Sequence, residues 1–243
     1  MQNASYKIIQ LEEVDSTNDL AKKFILEENM TGNCVIIADH QTRGKGRLGR
    51  TWESPSGTGL WMSLILGPGI CHDQLVLYNF MASLTVCETL RKLTGLEFEL
   101  KWPNDILIRG KKICGILLET VTKQGELFLI TGIGLNINQT SFPEPLDQTA
   151  TSLFIETQTI WERTAVLQEI LTKFDDNRSN MDINIIKKWK SMTNMLGKRV
   201  SVIQDNAIFD CTANDIGDDG ALIVDRNGKT DRLYAGDVRV RVN

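Results

Sequence analysis

The stretch Gln41 to Trp52, "QTRGKGRLGRTW", puts three glycines and four cations (Arg43, Lys45, Arg47 and Arg50) into a dozen positions. A glycine backbone can lie close against an anion and aim its N–H groups at the oxygens. Arginine adds a planar fork that grips phosphate or carboxylate with two bonds. The loop is therefore read as a binder of something negative rather than a solvated loop with chance charge. No GK[ST] closes it, and no helical pattern follows Gly49. It is neither a Walker A loop nor a dinucleotide-binding turn.

Three other stretches carry related chemistry. "DSTN" (15–18) reads as a helix N-terminus, with capping-box spacing between Ser16 and Asp19. Such an end also gathers polar groups and free N–H donors. In "KWPNDILIRGKKICGILLE" (101–119), Trp102 before Pro103 must be extended, and Pro-Asn-Asp is a turn sequence. Two lysines either stand exposed at a hairpin tip, or Lys112 sits at the base of the following apolar run and faces inward. Gly115 in that run marks a close approach by backbone or ligand, and the two glycines of "GIGLNIN" (132–138) mark either room for a bulky ligand against the sheet or a bulge.

These groups need a frame. Strands are expected at 6–14, 33–41 and 59–67, then at 96–102, 105–109, 112–121 and 126–134, with a turn at "KQG" (123–125). Helices are expected at 15–29, 74–94, 159–178 and 183–195. Helices followed by a run of antiparallel strands point to an α+β protein, not a doubly wound sheet. The pattern changes near Leu196–Gly197. Beyond it come five short alternating strands (199–203, 208–215, 221–225, 230–236, 238–242), with turns at "DDG" and "RNG", enough for a small SH3-like β-barrel. This gives a catalytic unit over 1–195 and a barrel over 196–243.

The 243 residues are 42% hydrophobic and 24% charged, as in an ordinary globular protein. The net charge of −4 opposes a general nucleic-acid surface and makes the basic loop a local feature, suited to a small anion. Five scattered cysteines without a CxxC pair read as reduced core residues of a cytoplasmic protein. Two histidines are too few for a typical zinc cluster. No signal peptide and no membrane-spanning run is recognisable.

Taken together, the segments "STN" (16–18), "QTRGKGRLGRTW", "KWPNDILIRGKKICGILLE" and "GIGLNIN", followed by a small barrel, resemble biotin–protein ligases in that family's order. The resemblance implies a class II aminoacyl-tRNA synthetase-like catalytic fold, α+β with a mixed or antiparallel sheet. It implies that biotin and ATP form biotinyl-5′-adenylate, and that the biotinyl group then passes to a lysine of a biotin carboxyl carrier protein. Arg47, Arg50 and Lys112 are the implied catalytic cations. Ser16, Thr17, Asn18, Gln41, Lys45, Gly46, Arg47, Lys112 and Gly115 are the implied biotin contacts. Gly115 and Gly134 make space for the ring and chain. Arg47, Arg50, Trp52, Asp105, Lys112 and Asn136 are the implied ATP and adenylate contacts, Trp52 as a cover. Mg²⁺ is expected on the triphosphate, with Asp105 a candidate participant.

Two departures qualify the likeness. Lys45 stands where many members have arginine, keeping charge but not the fork. The catalytic pattern also begins within the first 15 residues, where repressor-type members carry a winged helix-turn-helix. The expectation is a monofunctional ligase that does not bind DNA; the sequence leaves the oligomeric state open, a homodimer included. Two rivals remain: a lipoate–protein ligase, which would need a dithiolane slot, and a non-catalytic nucleic-acid binder.

Overall fold

The structure, a computed structural model, describes residues 6–28, 33–204, 207–234 and 236–240. Asn29, Ala235, Arg241 and Val242, all within expected elements, lie outside the described residues.

The larger sheet has seven strands in the order β1-β2-β3-β7-β6-β5-β4. They are β1 (Lys7–Val14), β2 (Cys34–Gln41), β3 (Gly59–Leu66), β4 (Glu99–Lys101), β5 (Asp105–Ile108), β6 (Lys111–Lys123) and β7 (Glu126–Asn136). β1 and β2 pair in parallel across helix α1 (Thr17–Glu27), and every other pairing is antiparallel. The sheet is thus mixed, one of the two forms the resemblance implied, within the α+β class the strand pattern pointed to.

Helix α1 covers one face, where Ala21 and Ile25 join Cys34, Ile36, Ile65, Phe128 and Ile130. The other face carries α2 (Leu75–Thr94), which packs against α4 (Arg163–Ser179) and α5 (Asn184–Ser191). With cover on both sides, every residue of β3 is buried. That is why it reads as an apolar run without alternation. Gly95 ends α2 in the left-handed conformation (φ 71°), its N–H bonded to Arg91 O at 2.9 Å.

Tight hairpins set the register around the site. Arg109 and Gly110 (φ 50° and 78°) join β5 to β6, and Gln124 and Gly125 (φ 52° and 83°) join β6 to β7. Positive φ at both central residues marks a turn whose twist matches its strands.

Some expected elements are shorter. The strand at 96–102 keeps only Glu99–Lys101. The helix expected from 159 starts at Arg163, where the Glu162 carboxylate accepts from Thr164 N at 3.2 Å. The last helix expected over 183–195 spans Asn184–Ser191. Helix α3 (Leu153–Thr157) was not anticipated, since five residues are too few to display a period. Four cysteines are buried as expected, but Cys71 is exposed, in the loop entering α2.

A second, five-stranded antiparallel sheet has the order β11-β10-β9-β8-β12. It comprises β8 (Arg199–Gln204), β9 (Ala207–Ile216), β10 (Leu222–Arg226), β11 (Lys229–Leu233) and β12 (Asp237–Val240). Its inner residues Val200, Val202, Ala213 and Leu222 belong to the same apolar cluster as Phe80, Leu100 and Trp102. The indole of Trp102 donates to Gly220 O across the junction at 3.0 Å.

Candidate active site

A cavity of about 270 Å³ opens where the basic loop crosses β6 and β7. Its two ends differ in character.

One end is uncharged. The N-terminus of α1 brings Ser16, Thr17 and Asn18 there, each at most 3% exposed. Ser16 occupies the N-cap position, yet its hydroxyl makes no capping bond. The expected capping box does not form, because Asp19 turns outward to Lys45 (2.6 Å) and Lys22 (3.8 Å). The Ser16 hydroxyl is thereby left to the cavity. Gln41, at the end of β2, accepts at Oε1 from Thr17 N at 2.9 Å and donates from Nε2 to Ser54 Oγ at 2.8 Å.

The other end is cationic. Arg47, Arg50 and Lys112 border it, facing Asp105 and Asp237. Lys112 Nζ lies 2.7 Å from Asp105 Oδ1, and Lys101 Nζ lies 3.3 Å from Asp105 Oδ2. Lys112 thus faces inward from β6, not outward from the hairpin tip. Arg47 donates to Asn104 Oδ1 at 3.4 Å. Burial pulls its guanidinium below the ordinary value, against the opposing charges of Asp105 and Asp237. A desolvated guanidinium gains most from an incoming anion.

The loop itself is a knot of backbone bonds. Gly46 N donates to Arg50 O at 2.7 Å and Trp52 N to Gly44 O at 2.9 Å. A Cβ on Gly44 would lie 2.3 Å from Trp52 O, so only glycine fits there. Leu48, at φ 55°, is 68% exposed at the turn's tip. Two of the four cations point away from the cationic end: Arg43 pairs with Asp15, and Lys45 stays at the rim on Asp19.

Trp52 closes the middle. The register through Gly132–Asn136 is continuous, so the glycines of β7 mark no bulge. Instead they accommodate side chains. A Cβ on Gly134 would lie 2.5 Å from the Trp52 indole, and one on Gly115 3.1 Å from both Trp52 and Lys112. Lys112 Nζ stands 5.0 Å from the Trp52 ring centroid. The space expected above these glycines is therefore taken by the indole. The indoles of Trp61, Trp102, Trp161 and Trp189 all donate to an acceptor, whereas the buried Trp52 Nε1 has none.

The model of the biotin/lipoate A/B protein ligase family matches residues 11–138, and that of the biotin protein ligase C-terminal domain matches 195–241. The bifunctional ligase/repressor BirA of Bacillus spizizenii is 32% identical over 240 residues, 96% of this chain and 74% of that one. This chain belongs to the biotin/lipoate A/B protein ligase family. The biotin–[acetyl-CoA-carboxylase] ligase of Mycobacterium tuberculosis is 31% identical over 84% of this chain and 77% of its own. Among solved structures, the Aquifex aeolicus biotin protein ligase in complex with biotin and ATP superposes with a TM-score of 0.82 at 30% identity. That match covers 98% of this chain and 99% of the other.

The ligase brings all its sequence-derived candidates to the rim or wall of this one cavity, with Gly46 in the loop. Asn136 is held on both sides: its Nδ2 donates to Thr151 O at 3.0 Å, and its Oδ1 accepts from Gln139 at 3.0 Å. Asp105 is already matched by two lysines. Among the described residues no group of three His, Cys, Asp or Glu side chains could cage a metal.

Sequence reasoning missed two parts of the wall. The segment from Phe142 to Ala150 docks on β6, with Lys112 N donating to Thr149 O at 2.8 Å. It has no periodic pattern to announce it. Asp237, at the start of β12, reaches in from the second sheet and accepts from Arg50 at 2.7 Å. Burial raises the Asp237 carboxyl, but the Arg50 bond and nearby Lys101 bring it below its usual value overall. The pair ties the basic loop to the second sheet. Asp237→Asn should free the loop by no more than about 1 kcal/mol, seen as up to roughly fivefold faster tryptic cleavage within 43–50. Unchanged cleavage would show that the pair does not hold the loop.

Proposed function

We propose that the protein is a biotin–protein ligase whose single active site is this cavity, within a catalytic unit at 1–195 joined to a barrel at 196–243. The observation that carries the reading is the division of one cavity into an uncharged hydrogen-bonding end and a cationic end. Biotin has the same division: a ureido ring with two N–H donors and a carbonyl, then a chain ending in carboxylate. Ser16, Thr17 and Gln41 suit the ring. Lys112, Arg47 and Arg50 suit the carboxylate and the phosphates.

In the first step the biotin carboxylate attacks the α-phosphorus of ATP and pyrophosphate leaves. Two anions must meet, so the cationic end neutralises both and the charge that grows between them. Magnesium bound with the nucleotide would supply further neutralisation of the phosphates, and Asp105, on the cavity wall between Lys101 and Lys112, is a carboxylate that would help hold it. The mixed anhydride hydrolyses in water, so the loop 43–50 serves as a lid. In the second step a carrier lysine amine attacks the acyl carbon and AMP leaves. A biotin carboxyl carrier domain is the proposed acceptor, and the cytoplasm the proposed location. Among the described residues no helix is long and apolar enough to cross a membrane.

The match to a biotin-ligase C-terminal domain and the named relatives favour biotin over lipoate and over a non-catalytic binder. The deciding experiment is ATP-dependent transfer of labelled biotin to a carrier domain, with lipoate as the competing acid. Transfer of lipoate but not biotin would overturn the reading.

Lys112→Ala should slow adenylate formation by about 100-fold while changing biotin affinity little, since a charge aimed at the developing phosphorane acts mainly in the transition state. Pyrophosphate-exchange kinetics check this. Lost affinity with an intact rate at saturation would make Lys112 a binding residue instead.

A further inference from the structure

Behind the uncharged end runs a chain of buried hydrogen bonds that begins near the surface. Lys22 Nζ donates to Glu119 Oε1 at 2.5 Å. Asn18 Nδ2 donates to Glu119 Oε2 at 2.8 Å and lies 3.4 Å from Leu117 O. Asn18 Oδ1 lies 2.5 Å from Ser63 Oγ, and Ser63 Oγ lies 2.7 Å from Thr17 Oγ1. Ser63 is fully buried on β3, and Thr17 lines the cavity.

We propose that Glu119, acting through Asn18 and Ser63, is a positioning residue that fixes the Thr17 hydroxyl as a hydrogen-bond acceptor toward the cavity, so that the site selects a ring N–H. The inference rests on the biotin-ligase reading.

The direction of each bond follows from the inventory of donors. A carboxylate and a carbonyl only accept, so the Asn18 amide must turn its NH₂ toward both. Its oxygen then faces Ser63, which must donate to it. A hydroxyl has one hydrogen. The short Ser63–Thr17 contact therefore holds only if Thr17 donates to Ser63. Gln41 Oε1, at 3.1 Å from Thr17 Oγ1, is served by the Thr17 N–H at 2.9 Å. What Thr17 shows the cavity is oxygen lone pairs. The arrangement needs Gly132, because a Cβ there would lie 2.5 Å from Asn18 Oδ1.

Glu119→Gln reverses the chain without removing a heavy atom. Lys22 holds the new amide oxygen, so the NH₂ faces Asn18. Asn18 flips at the cost of its long 3.4 Å contact to Leu117 O, Ser63 donates to Thr17, and the Thr17 hydrogen turns to Gln41 Oε1 or the ligand, leaving one lone pair fewer for a ring N–H.

The test uses the full chain and the first half-reaction alone, so the carrier plays no part. Pyrophosphate release is measured with biotin and with a cyclic-carbamate analogue in which one ureido N–H is oxygen. In Glu119→Gln the KM for biotin should rise about tenfold with kcat nearly unchanged, and the preference for biotin over the carbamate should fall about tenfold. Ser63→Ala, which cuts the chain beyond Glu119, should lose the same preference. Glu119→Asp, which keeps two acceptor oxygens, should retain it. An unaltered preference in Glu119→Gln overturns the proposal, as does a fall in kcat that is the same for both acids. A wild-type protein inactive with biotin overturns the functional reading and this inference together. An active wild type with an indifferent variant overturns only the inference.

Discussion

Arg47→Ala is expected to lower biotin-dependent adenylate formation by about 100- to 1000-fold, the usual cost of losing one preorganised donor to developing charge. The proposed role fits how Arg47 is held. It sits in the one-turn 3-10 segment 47–49, with Arg50 N bonded back to Arg47 O, and its guanidinium is anchored on Asn104. Asn104 is itself fixed by its side-chain amide donating to Ile116 O and by its backbone carbonyl accepting from Ile116 N. In this arrangement of the loop the guanidinium is thus half-buried and held toward the cavity. Arg47→Lys should recover only part of the loss, because a point charge cannot bridge two oxygens. Biotin-dependent pyrophosphate exchange measures the first step directly. A variant within a few-fold of wild type would remove Arg47 from the mechanism.

Removal of residues 196–243 should leave a chain that does not fold to a stable, active unit. The apolar cluster does not stop at the proposed domain boundary: Val200, Val202, Ala213, Ile216, Leu222 and Val224 share it with Phe80, Leu100 and Trp102. At the seam the fit is tight. Gly220 lies so close to α2 that a Cβ there would stand 2.7 Å from Val76 and 3.0 Å from Phe80. Truncation would expose that face of α2 and strip Trp102 of its acceptor. Each large side chain laid open costs about 1.5–3 kcal/mol, and the stability of a whole domain is only about 5–15 kcal/mol. The cationic end would also lose Asp237. Thermal unfolding of the truncated chain, with pyrophosphate exchange beside it, checks both consequences. A soluble truncation with the parent's midpoint and activity would show that the second sheet is dispensable.

The local requirements of the site are visible along the chain. A glycine-rich basic loop, a polar helix start and a Trp-Pro-Asn-Asp turn are short-range features, and each constrains its own few residues through backbone sterics or charge. That is why the segments holding Ser16, Arg47, Lys112 and Gly134 stood out without coordinates, while the individual roles, Gln41's among them, came from the resemblance to biotin–protein ligases. The strand and helix pattern followed for the same reason, wherever an element was long enough to show a period. It failed at Leu153–Thr157 and at the ends of the 96–102 and 159–178 segments, where capping and packing set the boundary.

Long-range pairing decided the rest. Nothing near Gly134 says that its missing side chain makes room for Trp52. Nothing near Asp237 says that it meets Arg50, 187 positions away in the chain. The Lys22–Glu119–Asn18–Ser63–Thr17 chain joins α1, β6 and β3, and exists only because α1 packs across β3 and β6, which flank β7 in the mixed sheet. A residue's type states what it can donate, accept or neutralise. Which partner it meets, and therefore which way its hydrogen or charge points, depends on contacts between segments far apart in sequence, and those form only when the core closes.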